Sequence, residues 1–595
     1  MKASLEASAL TRWVLALVIG CVASGAALLI QNLLRDVWQV RTLPERVMEW
    51  LLLFVPLDLF ERGLAQLGAD AKQVALTGTL IGMAAVLAIV GAAVVATGWR
   101  GWRLLRLGLA MWLIAMGVVM PVTGAGFFAS ALLVAPLLTN AGYPGVFLGY
   151  ARVLVLGRVL LSARTRERNQ HQSVMPERRA LLAGVLGTLA AAGVATFVGR
   201  EGGLVASTLP LAAPPPPTPT SASAAAPQAT QPSTSAQVAE TPRPNQPTST
   251  PAAEAPAPQP TATPEPLPNP PPPRHIARDK DGSLTAAGRA RGDLAPAITS
   301  NDDFYIVTKN AVQDPSVDVA TWRLVVDGEV NRPVQIDYRT LRALPPVEVT
   351  KTLECISNFT AGCNLTTFGC DLMSTARWRG ARLSDVIGLA GGLKPGAVGL
   401  AVLSSDEFSA GLPADVVDDP ETLVAYEMNG QPLPREHGFP ARLLVPGRYG
   451  MKNPKWLAGV RATTQEYAGW YEQRNWNKDG IVKTMARIDV PADGALLSPG
   501  TQRVAGIAYA GDRGISKVEF STDDGASWQP TRFIEPMPGK DAMVRWESTF
   551  SMPASGKLSL SVRATDGTGE VQTDECQLPQ PDGASGRDSI SVTAA

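Results

Sequence analysis

Long apolar runs dominate the first two hundred positions of the chain. Four strongly apolar stretches cover about 11–34, 73–97, 104–123 and 180–199, and a fifth, about 144–161, also carries Arg152 and Arg158. At 1.5 Å per residue, each is long enough to cross a hydrocarbon core of about 30 Å. The pattern therefore predicts an all-α membrane anchor of about five helices within residues 1–206.

Arginines between the apolar stretches orient this anchor. They lie between the second and third spans and between the fourth and fifth, and are Arg100, Arg103, Arg106, Arg164, Arg166, Arg168, Arg178 and Arg179. Loops rich in arginine remain in the cytoplasm. The prediction is a multi-pass protein of the cytoplasmic membrane, with its N-terminus inside and everything after residue 200 outside. The pair Arg178–Arg179 is similar to a twin-arginine export signal, or it serves only as a topology anchor.

Two segments complicate the count of spans. Residues 46–68 are apolar but interrupted by Glu49, Pro56, Asp58, Glu61 and Arg62. Ionisable residues within a membrane suggest function, and a contact with quinone is one hypothesis for them. We interpret the segment as an amphipathic stretch at the outer interface. The sequence alone leaves open whether it crosses the membrane. Residues 125–138 are too short to span and are expected to be re-entrant.

A proline-rich segment follows the anchor. Between Pro210 and Pro273, 22 of 64 residues are proline, and most of the others are Ala, Thr, Ser and Gln. Such a composition cannot bury a core, so residues 207–275 are predicted to be a disordered, semi-extended linker. We interpret it as a passive tether that lets the distal domain move above the membrane.

Charge and composition exclude several classes of protein. Lys+Arg and Asp+Glu are both 53, but residues 1–206 hold 18 basic and 10 acidic side chains, which leaves 35 and 43 for the remainder. A basic, apolar third joined to an acidic remainder is typical of a membrane-anchored protein and argues against nucleic-acid binding. Five scattered cysteines form no C-x-x-C pair for zinc or c-type haem.

Histidines are equally scarce. His171, His275 and His437 all lie outside the apolar spans, so the anchor is not expected to hold a bis-histidine haem. The sequence also shows no flavin or iron–sulfur motif. If the protein is a redox enzyme, a separate electron carrier is then required, either a cytochrome c or a quinone-linked protein.

After residue 290 the pattern changes to short strands and turns with intervening helices. A strand is predicted at Val398–Leu403 and a helix at Leu383–Ala390, which together indicate a mixed α+β domain within residues 276–484. Its most distinctive feature is Cys355 in TLECISN, where a cysteine closes an apolar run and enters a loop. From chemistry alone this cysteine is a core residue, half of a disulfide, a nucleophile or a ligand of a soft metal.

Three ordered motifs carry a resemblance to a known family. TLECISN, ARWRGARLSDVI at 376–387 and the stretch that begins at Thr422 and ends in YGMKNPKWL resemble the sulfite oxidase family of molybdopterin-dependent oxidoreductases. The resemblance covers roughly 290–590. It implies one molybdopterin per chain with Cys355 as the thiolate ligand of molybdenum. Residues at positions that hold the cofactor in the family are Asp302, Tyr305, Ser404, His437, Arg442, Asn453 and Lys455.

The chain also departs from the family pattern. Asn358 is followed by Phe359-Thr360-Ala361, where sulfite oxidases have arginines, and Trp476 stands at the expected substrate tyrosine. Lys309 is a candidate to replace one basic group, so Lys309, Asn358 and Trp476 form the predicted substrate pocket. The implied reaction is oxidation of sulfite or a related sulfur compound. The alternatives are a reductase of sulfoxides or other oxo-compounds and, remotely, a non-enzymatic surface protein on a proline-rich stalk.

Two further expectations concern the cysteines and the C-terminus. Cys363 and Cys370 are seven positions apart and are predicted to form a disulfide, with two free thiols as the alternative. Short strands and turns over residues 485–595 suggest an Ig-like β-sandwich. This region resembles the dimerisation domain of the family, which implies a homodimer. Cys576 has no obvious partner in the sequence.

Overall fold

The computed structural model describes residues 2–55, 71–132, 136–167, 267–268, 292–310, 314–358 and 372–595. Several sequence predictions fall outside these ranges. They are the apolar stretch 180–199, the pair Arg178–Arg179, the acidic residues Asp58 and Glu61, the linker 207–275 apart from two residues, and the bridge between Cys363 and Cys370.

The N-terminal region is helical. Its helices are α1 (Lys2–Trp38), α2 (Leu43–Leu51), α3 (Ala71–Ala96), α4 (Trp102–Ile114) and α5 (Pro136–Glu167). A π-helical turn, Ala115–Val119, joins α4 to a short helical piece at Met120–Val122. Among the described residues, four stretches are long and apolar enough to cross a membrane: Arg12–Trp38, Gln73–Ala96, Trp102–Val122 and Pro136–Leu160. These four match predicted stretches, and the helices are compatible with a membrane anchor.

Helix α2 begins with a capping box. The backbone amide of Thr42 donates to the Glu45 carboxylate at 2.8 Å, while the Thr42 hydroxyl accepts from the Glu45 amide. Pro44 occupies the first turn, where its missing N–H costs no hydrogen bond. Glu49 therefore lies on a well-defined helix directly after the first apolar span. Residues 52–54 continue as a 3₁₀ turn.

Two sheets build the middle domain. The first has the order β2-β1-β10-β5-β6, in which only the pair β1–β10 is parallel. The second is antiparallel, with the order β3-β4-β7-β8 and β9 beside β7. The strands are β1 (Leu324–Gly328), β2 (Val334–Ile336), β3 (Pro346–Glu354), β4 (Met373–Arg382), β5 (Gly399–Ser404), β6 (Ser409–Pro413), β7 (Leu423–Met428), β8 (Gln431–Pro432), β9 (Arg442–Leu444) and β10 (Leu457–Thr463).

A single hydrophobic core joins these sheets and two short helices. Helix α6 (Tyr338–Ala343) and helix α7 (Leu383–Leu389) pack their apolar faces on it. Trp378, Tyr426 and Phe304 are among its fully buried aromatic side chains. Helix α7 ends where Gly391 and Gly392 adopt positive φ, a conformation that glycine adopts without steric cost. The result is the mixed α+β domain that the sequence predicted.

The C-terminal domain is all β. Its sheets have the orders β11-β13-β17-β16 and β12-β19-β18-β14-β15. The strands are β11 (Met485–Val490), β12 (Leu496–Leu497), β13 (Gly500–Tyr509), β14 (Ile515–Ser521), β15 (Gln529–Pro530), β16 (Arg532–Phe533), β17 (Val544–Met552), β18 (Lys557–Asp566) and β19 (Asp588–Ala594). Trp546, Phe520 and Val562 pack between the two sheets. The assignment to the Ig type stays a prediction.

Cys576 corrects one expectation. It is disulfide-bonded, whereas the sulfurs of Cys21 and Cys355 are in no disulfide. The sequence had shown no obvious partner for Cys576, and non-reducing peptide mapping would identify that partner.

The helical region contacts the middle domain through charged side chains. The Arg46 guanidinium donates two hydrogen bonds to the Glu407 carboxylate, at 2.7 and 2.5 Å, and Lys309 Nζ lies 3.4 Å from Glu49 Oε1. Arg41 pairs with Glu49 and lies 3.6 Å from Glu407. The middle domain is therefore docked on the helical region, in contrast to the freely moving domain that the linker composition suggested.

Candidate functional site

An open cavity lies where several strands of the middle domain end. Cys355 follows β3, Arg442 begins β9, and Lys455 precedes β10. The lining residues that carry polar or aromatic groups are Phe304, Tyr305, Thr308, Lys309, Cys355, Asp406, Phe408, His437, Arg442, Asn453, Lys455, Trp456 and Tyr471. The cavity thus brings together segments that are more than 150 residues apart in the chain.

Cys355 is held by the backbone on both sides. Its amide donates to the Leu372 carbonyl at 2.9 Å, and its carbonyl accepts from the Asn358 amide at 2.8 Å. The preceding strand is braced by the C-terminal domain, since the Tyr509 hydroxyl donates to the Thr352 carbonyl at 3.0 Å. Cys355 is half-buried, forms no disulfide and lines the cavity. It is thereby available as a ligand for a soft metal.

Arg442 is a buried cation beside the cavity. Its Nη1 donates to the His437 carbonyl at 3.1 Å and its Nη2 to the Asn453 carbonyl at 2.9 Å. Its Nε makes no hydrogen bond within the described ranges. Burial lowers the pKa of Arg442 to about 10, and the residue remains charged at neutral pH. A buried charge whose protein acceptors are only carbonyls fits an anionic ligand.

His437 and Lys455 line the same wall. His437 Nε2 lies 3.2 Å from the Asn301 carbonyl, and its ring meets Phe304 edge-on at 5.2 Å. Lys455 Nζ donates to the carbonyls of Val307 and Glu436 at 3.0 and 2.8 Å. Together, Arg442 and Lys455 place two basic side chains in this wall, beside the His437 ring. The structure therefore collects three of the predicted cofactor residues in one place.

The remaining predicted cofactor residues differ in position. Tyr305 and Asn453 line the cavity, but the Asn453 side chain bonds to the backbone at Arg448, Tyr449 and Val445. Ser404 is buried and its hydroxyl makes no hydrogen bond within the described part of the chain, although it is not a lining residue. Asp302 is exposed and also lies outside the lining.

The predicted substrate pocket is only partly assembled. Lys309 lines the cavity, whereas Asn358 and Trp476 do not. The Asn358 amide donates to Glu354 Oε1 at 2.9 Å, and its oxygen accepts from the Leu372 amide at 3.2 Å. The Asn358 side chain therefore connects Glu354 to Leu372. Burial raises the pKa of the adjoining Glu354 to about 7.

Tyr471 lines the cavity in place of Trp476. The Trp476 ring packs edge-on against Tyr471 at 6.0 Å, from the side away from the lining. Burial and the nearby Cys355 raise the pKa of Tyr471, which keeps its hydroxyl protonated at neutral pH. Both aromatic residues lie in one segment, WYEQRNW, of which the sequence analysis considered only Trp476. The assignment of Trp476 to the substrate pocket stays a prediction.

Sequence reasoning also missed other lining residues. Thr308, Asp406 and Phe408 belong to two loops that meet only in the folded chain. Asn310 Nδ2 joins these loops by donating to Asp406 at 3.1 Å. None of these three residues lies in a motif on which the family resemblance rests, so no local signal pointed to them.

Comparison with known proteins agrees with this geometry. Residues 311–471 match the family model of the oxidoreductase molybdopterin binding domain. Mitochondrial sulfite oxidase of Mus musculus is 32% identical over 321 residues, which cover 47% of this chain and 57% of that protein. Sulfite oxidase of Gallus gallus is 31% identical over 315 residues, covering 47% of this chain and 68% of that protein.

More distant similarities are also found. Nitrate reductase [NAD(P)H] of Hordeum vulgare is 28% identical over 279 residues, covering 39% of this chain and 31% of that protein. The sulfane dehydrogenase SoxCD from Paracoccus pantotrophus aligns in structure with a TM-score of 0.44 and 22% identity, over 50% of this chain and 81% of that chain.

The middle domain thus defines a molybdopterin-binding oxidoreductase domain. On the shared identity and coverage, the chain belongs to the sulfite oxidase family. The match stops short of the N-terminal helical region, and the chain spans just over half the length of the mammalian relative.

The residues present fit the cofactor of this family. A molybdopterin carries a phosphate, and the buried Arg442 offers an Nε–H without a partner in the described structure. Gly438 and Gly450 keep the walls tight, since a Cβ there would lie 3.0 Å from the Lys455 Cα and 2.7 Å from the Tyr305 hydroxyl. The Cys355 thiol adds a soft donor to the same cavity. The donor set therefore suits an anionic group that bears a thiophilic metal.

Proposed function

We propose that this protein is a membrane-anchored, extracytoplasmic oxidoreductase that transfers an oxygen atom to a sulfur compound such as sulfite. The observation that carries the proposal is one cavity that is lined by both the Cys355 thiol and the buried, cationic Arg442. When bound, the molybdenum cofactor supplies two-electron oxygen-atom transfer. The protein's own side chains are proposed to bind the cofactor and to hold the substrate.

Cys355 is proposed as the metal ligand and Arg442, Lys455 and His437 as the residues that hold the pterin phosphate and ring. Tyr471 is placed to donate a hydrogen bond to a substrate oxygen because its pKa is raised. Oxidation of sulfite takes one oxygen atom from water and releases two protons and two electrons. A separate carrier, a cytochrome c or a quinone-linked protein, is proposed to accept these electrons.

The ion pairs of the helical region support the extracytoplasmic location. Helix α2 and the catalytic cavity lie on the same side of the membrane because Glu49 contacts Lys309 and Arg46 contacts Glu407. Three candidate spans separate α2 from the end of α5, which would put these two points on opposite sides of the membrane. The proposal therefore includes one further crossing before the catalytic domain, at the apolar stretch 180–199, and the arginine-rich loops favour an outside location for the domain.

A second candidate function is reduction of sulfoxides or other oxo-compounds at the same centre. Lys309, the predicted anion-binding group, is paired with Glu49 and therefore offers a substrate little net charge. Arg442 and Lys455 are bonded to backbone carbonyls on the cofactor wall. Such a pocket is suited to a neutral substrate as well as to an oxyanion.

The test is metal content followed by steady-state assays of the full chain. We expect near-stoichiometric molybdenum and pterin, and loss of activity with an altered Mo(V) paramagnetic resonance in Cys355→Ser. Cys21→Ser is the matched control, since Cys21 is an exposed free cysteine on α1. Sulfite oxidation and sulfoxide reduction are then assayed separately. A well-folded, exported protein without molybdenum would refute the proposal.

A further inference from the structure

The helical region supplies a charged wall to the entrance of the catalytic cavity. Glu407, which accepts two hydrogen bonds from Arg46, stands between the lining residues Asp406 and Phe408. Arg474, in the loop of Tyr471, donates to the Glu49 backbone carbonyl at 3.3 Å. Helix α2 thus contacts two loops of the cavity rim.

Glu49 of helix α2 contacts a residue that lines the cavity. Its Oε1 lies 3.4 Å from Nζ of Lys309, a lining residue whose side chain is 1% exposed. Within the described ranges, this is the carboxylate that lies at ion-pair distance from Lys309. Burial alone would raise the pKa of Glu49, but Arg41 and Lys309 hold it well below its ordinary range. Glu49 is therefore ionised.

An ionised carboxylate beside Lys309 opposes the attraction between that amine and an anion in the cavity. The opposition is strongest for a dianion, since Coulomb energy scales with the charge of the ligand. Arg41 also pairs with Glu49 and lies near Glu407, so it offsets part of the Glu49 charge, and Lys309 is the partner of Glu49 that lines the cavity. Glu49 on helix α2 therefore lowers the net positive charge that a substrate encounters at Lys309.

We propose that Glu49 of the membrane anchor is a specificity-determining residue of the catalytic site, where it neutralises Lys309 and weakens the binding of dianions relative to neutral oxo-compounds. This inference rests on the proposed function only in taking the cavity as the substrate site. It assigns to the anchor a part in substrate selection besides attachment to the membrane.

The experiment titrates the full, molybdenum-loaded chain in phosphatidylcholine nanodiscs with sulfate, a dianion, and with dimethyl sulfoxide, a neutral ligand. In Glu49→Gln, we expect sulfate affinity to rise roughly ten-fold, the change for a dianion about 6 Å from the lost charge even at the dielectric constant of water. Dimethyl sulfoxide affinity should stay unchanged. The double variant Glu49→Gln/Lys309→Met should lose the gain, because the removal of the Lys309 cation offsets the removal of the Glu49 carboxylate.

Glu466→Gln is the matched control, because Glu466 is exposed and pairs only with Lys478 at 3.2 Å. An unchanged sulfate affinity in Glu49→Gln would overturn the inference. If that variant fails to fold, Lys309→Met decides: sulfate affinity should fall roughly ten-fold, because the Glu49 carboxylate is then left without Lys309, and an unchanged sulfate affinity would overturn the inference. Molybdenum content of the unaltered chain tests the proposed function separately, so the two failures are distinguishable.

Discussion

Arg442→Met is expected to separate the stability of the fold from retention of the cofactor. The wild-type guanidinium is 4% exposed and lies 5.2 Å from the Trp378 ring centre. Burial lowers its pKa from 12.5 to about 10. A lowering of that size corresponds to a cost of about 3 kcal/mol for holding the charge in the cofactor-free fold.

Methionine removes this cost but also two hydrogen bonds to the His437 and Asn453 carbonyls. Each of these contributes about 1 kcal/mol. The two changes nearly cancel, so the cofactor-free variant should be about as stable as the wild type. The loaded variant loses in addition a charge-assisted hydrogen bond to the phosphate, about 2 kcal/mol or roughly thirty-fold in affinity.

The assay compares pterin content after dialysis with the thermal midpoints of the loaded and cofactor-free chains. We expect Arg442→Met to lose pterin while its cofactor-free midpoint stays near that of the wild type. Arg461→Met is the matched control, since Arg461 pairs with Asp327 on the surface, far from the lining. If Arg442→Met retained pterin as the wild type does, the buried cation would not bind the cofactor and the argument from its unpaired Nε would be refuted.

Three other changes test the remaining structure. Tyr471→Phe should lower kcat about ten-fold or more with little change in stability, because only the hydroxyl is lost from a packed ring, and steady-state kinetics check this. Arg46→Glu and Glu407→Arg should each release the catalytic domain from membranes once a protease site engineered between 207 and 275 is cut, while the double variant should stay bound. Burial raises the pKa of Asp588 from 3.8 to about 7. Since the folded state then holds a proton that the unfolded state has lost, stability should fall between about pH 4 and 7 by at most about 4 kcal/mol, and thermal midpoints of Asp588→Asn should show a weaker dependence on pH.

Much of the architecture could be predicted from local patterns. Apolar stretches marked four of the candidate spans because a membrane helix needs about twenty consecutive apolar residues, and such a run is visible without tertiary information. The helix at Leu383–Ala390 appears as Leu383–Leu389, and the strand at Val398–Leu403 as Gly399–Ser404. The glycines that end the helix and the apolar residues of the strand are local features of the sequence. The family resemblance likewise rested on short motifs around Cys355 and Arg442.

Only the tertiary structure could show which residues meet. Tyr471 and Trp476 are equally plausible in sequence, and the 3₁₀ turn at Glu472–Arg474 decides that the first one faces the cavity. Glu49 looked like a misplaced charge in an apolar segment, yet it pairs with Lys309, 260 positions later. Periodicity reports the environment of a residue along its own helix or strand, whereas ion pairs and cavities depend on how distant segments converge. For that reason the sequence determined the individual helices, strands and motifs of this protein. Only the tertiary structure decided that helix α2 lies beside the candidate site, where Glu49 contacts Lys309.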